Sequence, residues 1–545
     1  MKYISIGTYV FTRFPCNFID LRRDLQMLKM PAVFSSSMVL QRGKNIAVWG
    51  ESDGVSVAVS LNGCTVETNV HDGKWSLYLP PFKAGGSYSM SVTNGSDVIN
   101  FDDIMIGEVW LAGGQSNMEL ELKDCRNGSR IVQGAADNGT GCNVRFYYTP
   151  KVAWKGEELY QAESESSWDK FTPGKCSRWS AVGYHFASKL SEKLGVTVGI
   201  IGCNWGGTSA SCWMSREFLG QQACLSSYLK EYDDIVAEQD EAEYLKEWEE
   251  YLIYQAEFDK NVGNYYATSP NPSWDEAIRL FGENKYPGPV GPRNEHRPCG
   301  LYETMISRIA PYTLAGFLYY QGEEDDHKPY TYYELLSTLV KQWRHDWKDD
   351  TLPFMLVQLP VFQGEGETDY QNWPFIREAQ MRLYNTVKNT GIAVILEYGE
   401  YENIHPVDKE PVGERLMLQA MYHVYGGIDA ASAFGPVYKS YYIDGSRMYI
   451  QFQNAEAGIV CKAENEEGFE IAGEDKKYYP AEAEINGDVI ILKSDKVQKP
   501  LYARYCWTNY RKITLFGANG LPVAPFRTSP EDGAKATGSR NGLAE

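Results

Sequence analysis

Between residues 103 and about 428, apolar strand-like runs alternate with amphipathic helical stretches. This alternation is the strongest constraint on how the chain folds. Strand patterns occupy 107–112, 196–201, 315–320, 354–359 and 392–397, and helical spacing occupies 181–194, 331–347, 371–388 and 411–425. Strands separated by helices pack as parallel neighbours, so the expected fold class is α/β with a doubly wound parallel sheet. In such sheets, functional groups gather where the strands end. Ser116, Gly207, Gln321 and His405 each fall just after a strand pattern, so one sheet edge would collect all four.

The first of these positions lies in Gly113-Gly114-Gln115-Ser116-Asn117-Met118, directly after Gly107 to Ala112. A serine in a tight Gly-rich turn at a strand end is where a serine hydrolase holds its nucleophile, with backbone N–H groups near a developing oxyanion. The turn is not Gly-x-Ser-x-Gly, so the lipase elbow is the wrong template. The same turn also reads as an ordinary Gly-Ser turn.

A serine hydroxyl needs a base, and the chain has seven histidines. His71 sits in a hairpin signal, His185 in a helix, His296 in a Pro/Gly/Arg loop, His327 after an acidic run, His345 at a helix end and His423 late in a helix. His405 differs, because it lies in Asn403-Ile404-His405-Pro406 between an apolar strand and a helix starting near Pro411. That is a catalytic position in α/β enzymes, and equally the place of a solvated loop histidine.

Six ordered blocks carry a family resemblance. They are Gly107-Glu108-Val109-Trp110 running into Gly114 to Met118; Val198 to Ile201 followed by Asn204 to Ala210 and Trp213; Arg297-Pro298 to Gly300-Leu301-Tyr302; Tyr319-Tyr320-Gln321-Gly322-Glu323; Arg377-Glu378-Ala379-Gln380; and Ile404-His405-Pro406. Over roughly residues 30 to 530 the chain resembles the sialate O-acetylesterases, within the SGNH-hydrolase group of carbohydrate esterases. The resemblance implies an SGNH-type catalytic sheet and a carbohydrate O-acetylesterase, sialate 9-O-acetyl esters being the first expected substrate. Acetylated xylan or other oligosaccharides are the alternative, and a glycan-binding protein without activity is a third reading. It also implies Ser116 as nucleophile, His405 as base, and Ser116, Gly207 and Gln321 as oxyanion donors. Gln115, Asn117, Glu323, Arg297 and Arg377 would orient the site or bind substrate.

Two departures from the family pattern bear on the chemistry. The fourth block continues Glu324-Asp325-Asp326-His327 where the family has Ser-Asn, adding charge that would disfavour an anionic sugar if it faced the substrate, or would be solvated. Three residues before His405 stands Glu402, where the pattern often has Asp, and Asn403 follows it. Either Glu402 orients His405, or a Ser-His dyad works with a backbone carbonyl.

The remaining regions frame this domain. With 545 residues, more than one domain is expected. Residues 31–102 read as a β-sandwich-like domain with hairpin signals Asn62-Gly63, Asp72-Gly73 and Gly85-Gly86; it either packs against the catalytic domain or binds glycan. The catalytic domain spans 103–428, with a helical insertion at about 221–295. The insertion reads as a helix over Tyr228 to Tyr254, followed by Pro/Gly-rich loops, and serves as a lid or a surface excursion. Arg293 and Arg297 are its candidates for contact with a sugar or carboxylate. Residues 429–530 form a C-terminal β region, and 531–545 a polar, Gly-rich tail expected to be disordered.

Residues 1–30 read as an N-terminal extension with no secretory-signal pattern: the run Tyr3 to Phe11 is interrupted by Ser, Gly and Thr and followed by Arg13. With an odd count of 11 cysteines, this leads to the expectation of a cytoplasmic setting. No C-x-x-C pair or clustered histidines point to a metal, and no cofactor is expected. A net charge of −20 disfavours nucleic acid and anionic membranes as partners, leaving an acetylated sugar or oligosaccharide.

Overall fold

The computed structural model describes residues 28–545 apart from 139–142, 271–272, 365, 465–466, 540–541 and 543–545. Nearly all of the expected N-terminal extension lies outside the described residues, as do Asn271 and Pro272 of the insertion loop and the last three residues of the tail. The chain is a mixed α/β molecule organised around one strand, Val98–Gly114 (β1). Its first half pairs antiparallel with Gly85–Thr93, and its second half is buried at the centre of a parallel sheet. The boundary expected between residues 102 and 103 therefore falls inside a continuous strand. The two regions are joined by backbone hydrogen bonds, not by a linker.

The N-terminal strands alternate strictly. Lys74–Leu79 buries every second residue, as does Ser56–Leu61, which is the signature of sheets with one covered face. Ile46–Ser52 pairs with Lys74–Leu79, and Ser56–Leu61 pairs with Cys64–Asn69 and Gly85–Thr93. Val48, Leu77 and Leu79 share one core with Val57, Val59 and Val92.

The parallel sheet adds Val144–Tyr148 (β2), Val198–Asn204 (β3), Gly316–Tyr320 (β4), Phe354–Gln358 (β5) and Thr390–Val394 (β6), in the order β2-β3-β1-β4-β5-β6. β3, β4 and β5 are buried throughout, as strands covered on both faces must be. The principal helices are Ala181–Leu194 (α1), Ser226–Ala237 (α2), Glu241–Thr268 (α3), Tyr332–Asp346 (α4), Trp373–Thr386 (α5) and Glu410–Ala420 (α6). α1 starts where the Ser180 hydroxyl accepts the Gly183 N–H at 3.0 Å, and ends at Gly195 in the left-handed conformation.

The insertion is not one helix over Tyr228 to Tyr254. Asp240 separates α2 from α3, because its carboxylate accepts the Glu243 N–H at 2.9 Å and caps the second helix. Tyr244, Trp248 and Tyr251 are buried together, whereas Ile235 and Leu252 are exposed.

The C-terminal region has two four-stranded sheets around a separate core, into which Val361 and Leu396 of the α/β region also project. The tail departs from the expectation of disorder as far as Ser539. Asp532 is buried in an ion pair with Arg527 at 2.9 Å and accepts the Tyr478 hydroxyl at 2.7 Å; Ala536 packs on Phe375 and Trp507. Two polar anchors and one methyl group outweigh the composition of the segment. Among the described residues, no helix is long and apolar enough to cross a membrane.

Candidate active site

The turn at the end of β1 is strung between its neighbours. The Gln115 N–H donates to the Tyr320 carbonyl at the end of β4 (3.1 Å), and the Trp205 N–H after β3 donates to the Gly114 carbonyl (3.1 Å). Gly114 has φ +134°, and a Cβ there would lie 2.1 Å from the Tyr320 oxygen, so only glycine lets the strand turn out here. Ser116 then opens a single helical turn, Ser116–Glu119.

His405 reaches this turn from the loop after β6. Its Nε2 lies 2.8 Å from the Ser116 Oγ, within hydrogen-bond reach. The loop is shaped by Glu400, whose carboxylate accepts from the Asn403 amide (2.9 Å) and the Val407 N–H (3.0 Å). The Asn403 Oδ1 in turn accepts the His405 N–H (3.0 Å). Glu402 is exposed and makes no described hydrogen bond to His405; the carboxylate that organises this loop is Glu400.

On the other side of Ser116 runs the loop after β3. A Cβ on Gly206 would lie 3.3 Å from the Ser116 Cβ. The Gly206 N–H donates to Glu119 (2.6 Å), which also pairs with Lys151. Gly207 has φ +69°, and a Cβ there would press at 3.0 Å on His296 and 3.1 Å on the Tyr286 hydroxyl. The N–H groups of Ser116 and Gly207 have no hydrogen-bond partner among the described residues and flank the nucleophile turn.

The acidic fourth block is not a solvated run. Asp325 is fully buried and accepts the Ser209 hydroxyl (2.6 Å), the Ala210 N–H (2.9 Å) and the Gln321 amide (2.6 Å), fastening the glycine loop from its far end. Asp326 is also buried and accepts the Asn372 amide at 3.0 Å. Burial, reinforced by Asp325, Asp326 and Glu323, lifts the Glu324 carboxyl to about 8. Burial likewise holds His296 down at about 4, so it is neutral at physiological pH. The insertion supplies the cover: the Tyr286 hydroxyl meets the Gly206 carbonyl (3.2 Å) and the His296 Nε2 (3.0 Å).

A family model described as "Carbohydrate esterase, sialic acid-specific acetylesterase" matches residues 293–404. Sialate O-acetylesterase from Mus musculus is 26% identical, over 90% of this chain and 92% of its own length. The Homo sapiens sialate O-acetylesterase is 24% identical, over 91% of this chain and 92% of its own. The crystal structure of a carbohydrate acetylesterase from Xanthomonas citri superposes with a TM-score of 0.73 at 29% identity, covering 92% of this chain and all of that one. The chain is similar to the sialate O-acetylesterases over most of its length.

Several residues expected at the site of this esterase relative are engaged elsewhere. The Gln321 amide donates to Asp325 and to the Thr208 carbonyl (3.3 Å), while its oxygen accepts from Tyr332 (2.9 Å). Its two amide N–H groups are thus directed into the protein, one of them to Asp325 four residues on. Arg297 donates to the Ala153 carbonyl and pairs with Glu303 at 2.8 Å. Arg293 stacks over Trp154, its guanidinium 5.2 Å from the ring. Arg377 is fully buried and donates to the Thr508 carbonyl, tying α5 to the C-terminal region rather than touching substrate.

Others converge on the nucleophile. Asn117 and Glu323 meet directly at 2.6 Å, and the Gln115 oxygen accepts the N–H groups of Gly322 (3.3 Å) and Glu324 (3.2 Å). The sequence reasoning missed Glu119, Asp325, Tyr286 and Lys409. Spacing marks two of these, since Glu119 lies one helical turn after Ser116 and Asp325 four residues after Gln321. Nothing local marks Tyr286, 80 residues from the Gly206 carbonyl it meets.

Proposed function

We propose that this chain is a serine carbohydrate O-acetylesterase, with an SGNH-type catalytic sheet, that hydrolyses acetyl esters through an acetyl-enzyme. The observation that carries this reading is the 2.8 Å contact between the Ser116 Oγ and the His405 Nε2 at the carboxyl edge of a parallel sheet. Serine hydroxyls are weak nucleophiles, and a histidine at this distance removes the proton as the oxygen attacks.

In the first half-reaction, the Ser116 Oγ attacks the acetyl carbonyl while His405 takes its proton. The carbonyl oxygen becomes an oxyanion facing the N–H groups of Ser116 and Gly207. The tetrahedral intermediate collapses as His405 returns the proton to the departing sugar hydroxyl, leaving acetyl on Ser116. In the second half, water gives a proton to His405 and attacks the acetyl carbon; acetate leaves and Ser116 regains its proton. No step needs a metal or an organic cofactor.

The substrate class follows the relatives, whose names point to O-acetylated sialic acid, and sialate esters are the first substrate to try. A neutral acetylated oligosaccharide such as acetylated xylan is the second reading, favoured by Glu324. The Glu324 N–H donates to the Gln115 oxygen beside the nucleophile turn, and above pH 8 the Glu324 carboxyl would add negative charge to this block. The intact Ser116–His405 contact weighs against a protein that only binds glycan.

The test is acetate release by wild type and by Ser116→Ala from 9-O-acetyl sialic acid and from acetylated xylo-oligosaccharides, side by side. Release from one of them, abolished in the variant, is the expected result and selects the sugar. A folded wild type that releases acetate from neither overturns both substrate readings. Release that persists in Ser116→Ala overturns the nucleophile.

A further inference from the structure

Lys409 has no place in the chemistry above, yet it is completely buried directly behind the nucleophile turn. Its ammonium donates to the Asn117 Oδ1 at 2.5 Å. The Asn117 Nδ2 donates in two directions, to the Glu323 Oε1 at 2.6 Å and to the Ile404 carbonyl at 2.9 Å. Asn117 is the chain neighbour of Ser116, and Ile404 is the chain neighbour of His405. One side-chain amide therefore spans the two halves of the catalytic pair.

The charges on either side of that amide dictate which way it points. In their charged forms an ammonium can only donate and a carboxylate can only accept, so the charged pair requires the oxygen of the amide toward Lys409 and its nitrogen toward Glu323. A flipped amide would set its oxygen against the Glu323 carboxylate and the Ile404 carbonyl, and its N–H groups against the ammonium. In the orientation observed, the second N–H of Asn117 is left to grip the Ile404 carbonyl. Lys409 lies four residues after His405, at the start of α6, so the histidine segment holds Asn117 at both of its ends.

We propose that Lys409 is a positioning residue: by locking the Asn117 amide between itself and Glu323, it fixes the distance between the Ser116 and His405 side chains. This rests on the proposed esterase reading. All three members are buried, Asn117 at 1% exposure, Glu323 at 6% and Lys409 at 0%, so water offers the amide no alternative partner. Burial holds Lys409 down at about 7 and pushes Glu323 up, which is the cost of keeping this pair behind the site. A structure without functional demand gains by replacing such a pair with apolar side chains.

The experiment is steady-state kinetics on Lys409→Met, together with the rate at which a phosphonylating agent, diethyl p-nitrophenyl phosphate, labels Ser116. Displacing a nucleophile from its base by an ångström costs on the order of 100-fold, so kcat and the labelling rate should fall together by about 10- to 100-fold. KM should stay within about twofold, because no substrate contact is lost. The double variant Lys409→Met/Glu323→Gln removes both buried charges and covers the case in which the single variant does not fold; it should show the same kcat deficit. Wild-type kcat in the double variant would overturn the proposal, since Lys409 would then be only a counter-charge for Glu323. Wild-type kcat in folded Lys409→Met would overturn it as well. Ser116→Ala separates the two levels: if it keeps activity, the esterase reading fails, and if it is inactive while Lys409→Met is unimpaired, only the present inference fails.

Discussion

On the His405 flank of Ser116, a single side-chain amide, Asn117, joins the two catalytic loops and is fixed by a buried ammonium and a buried carboxylate. On the glycine-loop flank, backbone hangs from two carboxylates, Glu119 at Gly206 and Asp325 at Ser209 and Ala210, and is covered by Tyr286 and His296. The first flank is built wholly from residues of the α/β region. The second borrows Tyr286 from the insertion and leaves two N–H groups without a partner among the described residues. The difference follows from what each must do. Proton transfer needs one short distance held without play, whereas an oxyanion needs donors held in place but not already satisfied.

The comparison breaks most sharply at the residue both flanks serve. Ser116→Ala should lower kcat/KM by about 10⁴-fold or more, measured as acetate release, with the folded protein unchanged by circular dichroism. On the glycine-loop flank, Asp325→Ala leaves the Ala210 N–H, the Ser209 hydroxyl and the Gln321 amide without their acceptor. Each buried orphan costs about 1–3 kcal/mol, so the thermal midpoint should fall clearly. The slackened loop should also lose about 10- to 100-fold in kcat. An Asp325→Ala protein with wild-type kcat would mean that the glycine loop holds its shape without this anchor.

Tyr286→Phe removes one hydroxyl from the cover over Gly206 and His296. One hydrogen bond is worth about 0.5–1.5 kcal/mol, so kcat/KM should drop about 2- to 10-fold, and less than for Lys409→Met. An equal or larger loss would place the insertion in the chemistry itself.

The smallest effect concerns pH. Glu324 has its folded value raised to about 8 from an ordinary 4.5. Between those values the native state holds a proton that the unfolded chain has released, so stability falls as pH rises through that window, and the cost is complete above pH 8. Glu324→Gln should therefore raise the thermal midpoint by a few degrees above pH 8 and leave it unchanged below about pH 4.5. A gain that is the same at both ends would mean that the charge of Glu324 is not what costs stability.

Much of this was legible in the chain. Period-2 and period-3.6 patterns gave the order of strands and helices, because burial of one face or of both leaves its mark residue by residue. β2 went unread because Arg145 breaks its apolar run, and the insertion broke at Asp240 because a cap outweighed a continuing apolar stripe. Polar residues were harder to read. Gln321, Arg297 and Arg377 look like site residues in sequence, and each is consumed by a partner far along the chain or buried beside it.

The sequence by itself determined that Ser116, Gly207 and His405 would follow strands, since apolar strand patterns and glycine turns are local properties. Only the tertiary structure decided which of the polar residues around them still have hydrogen bonds to offer. It drew Gln321 inward to Asp325, turned Glu402 out to solvent and set Lys409 behind Asn117. The reason is that a donor or acceptor in a buried site is defined by what it is already bonded to, and those bonds span up to 292 residues of chain.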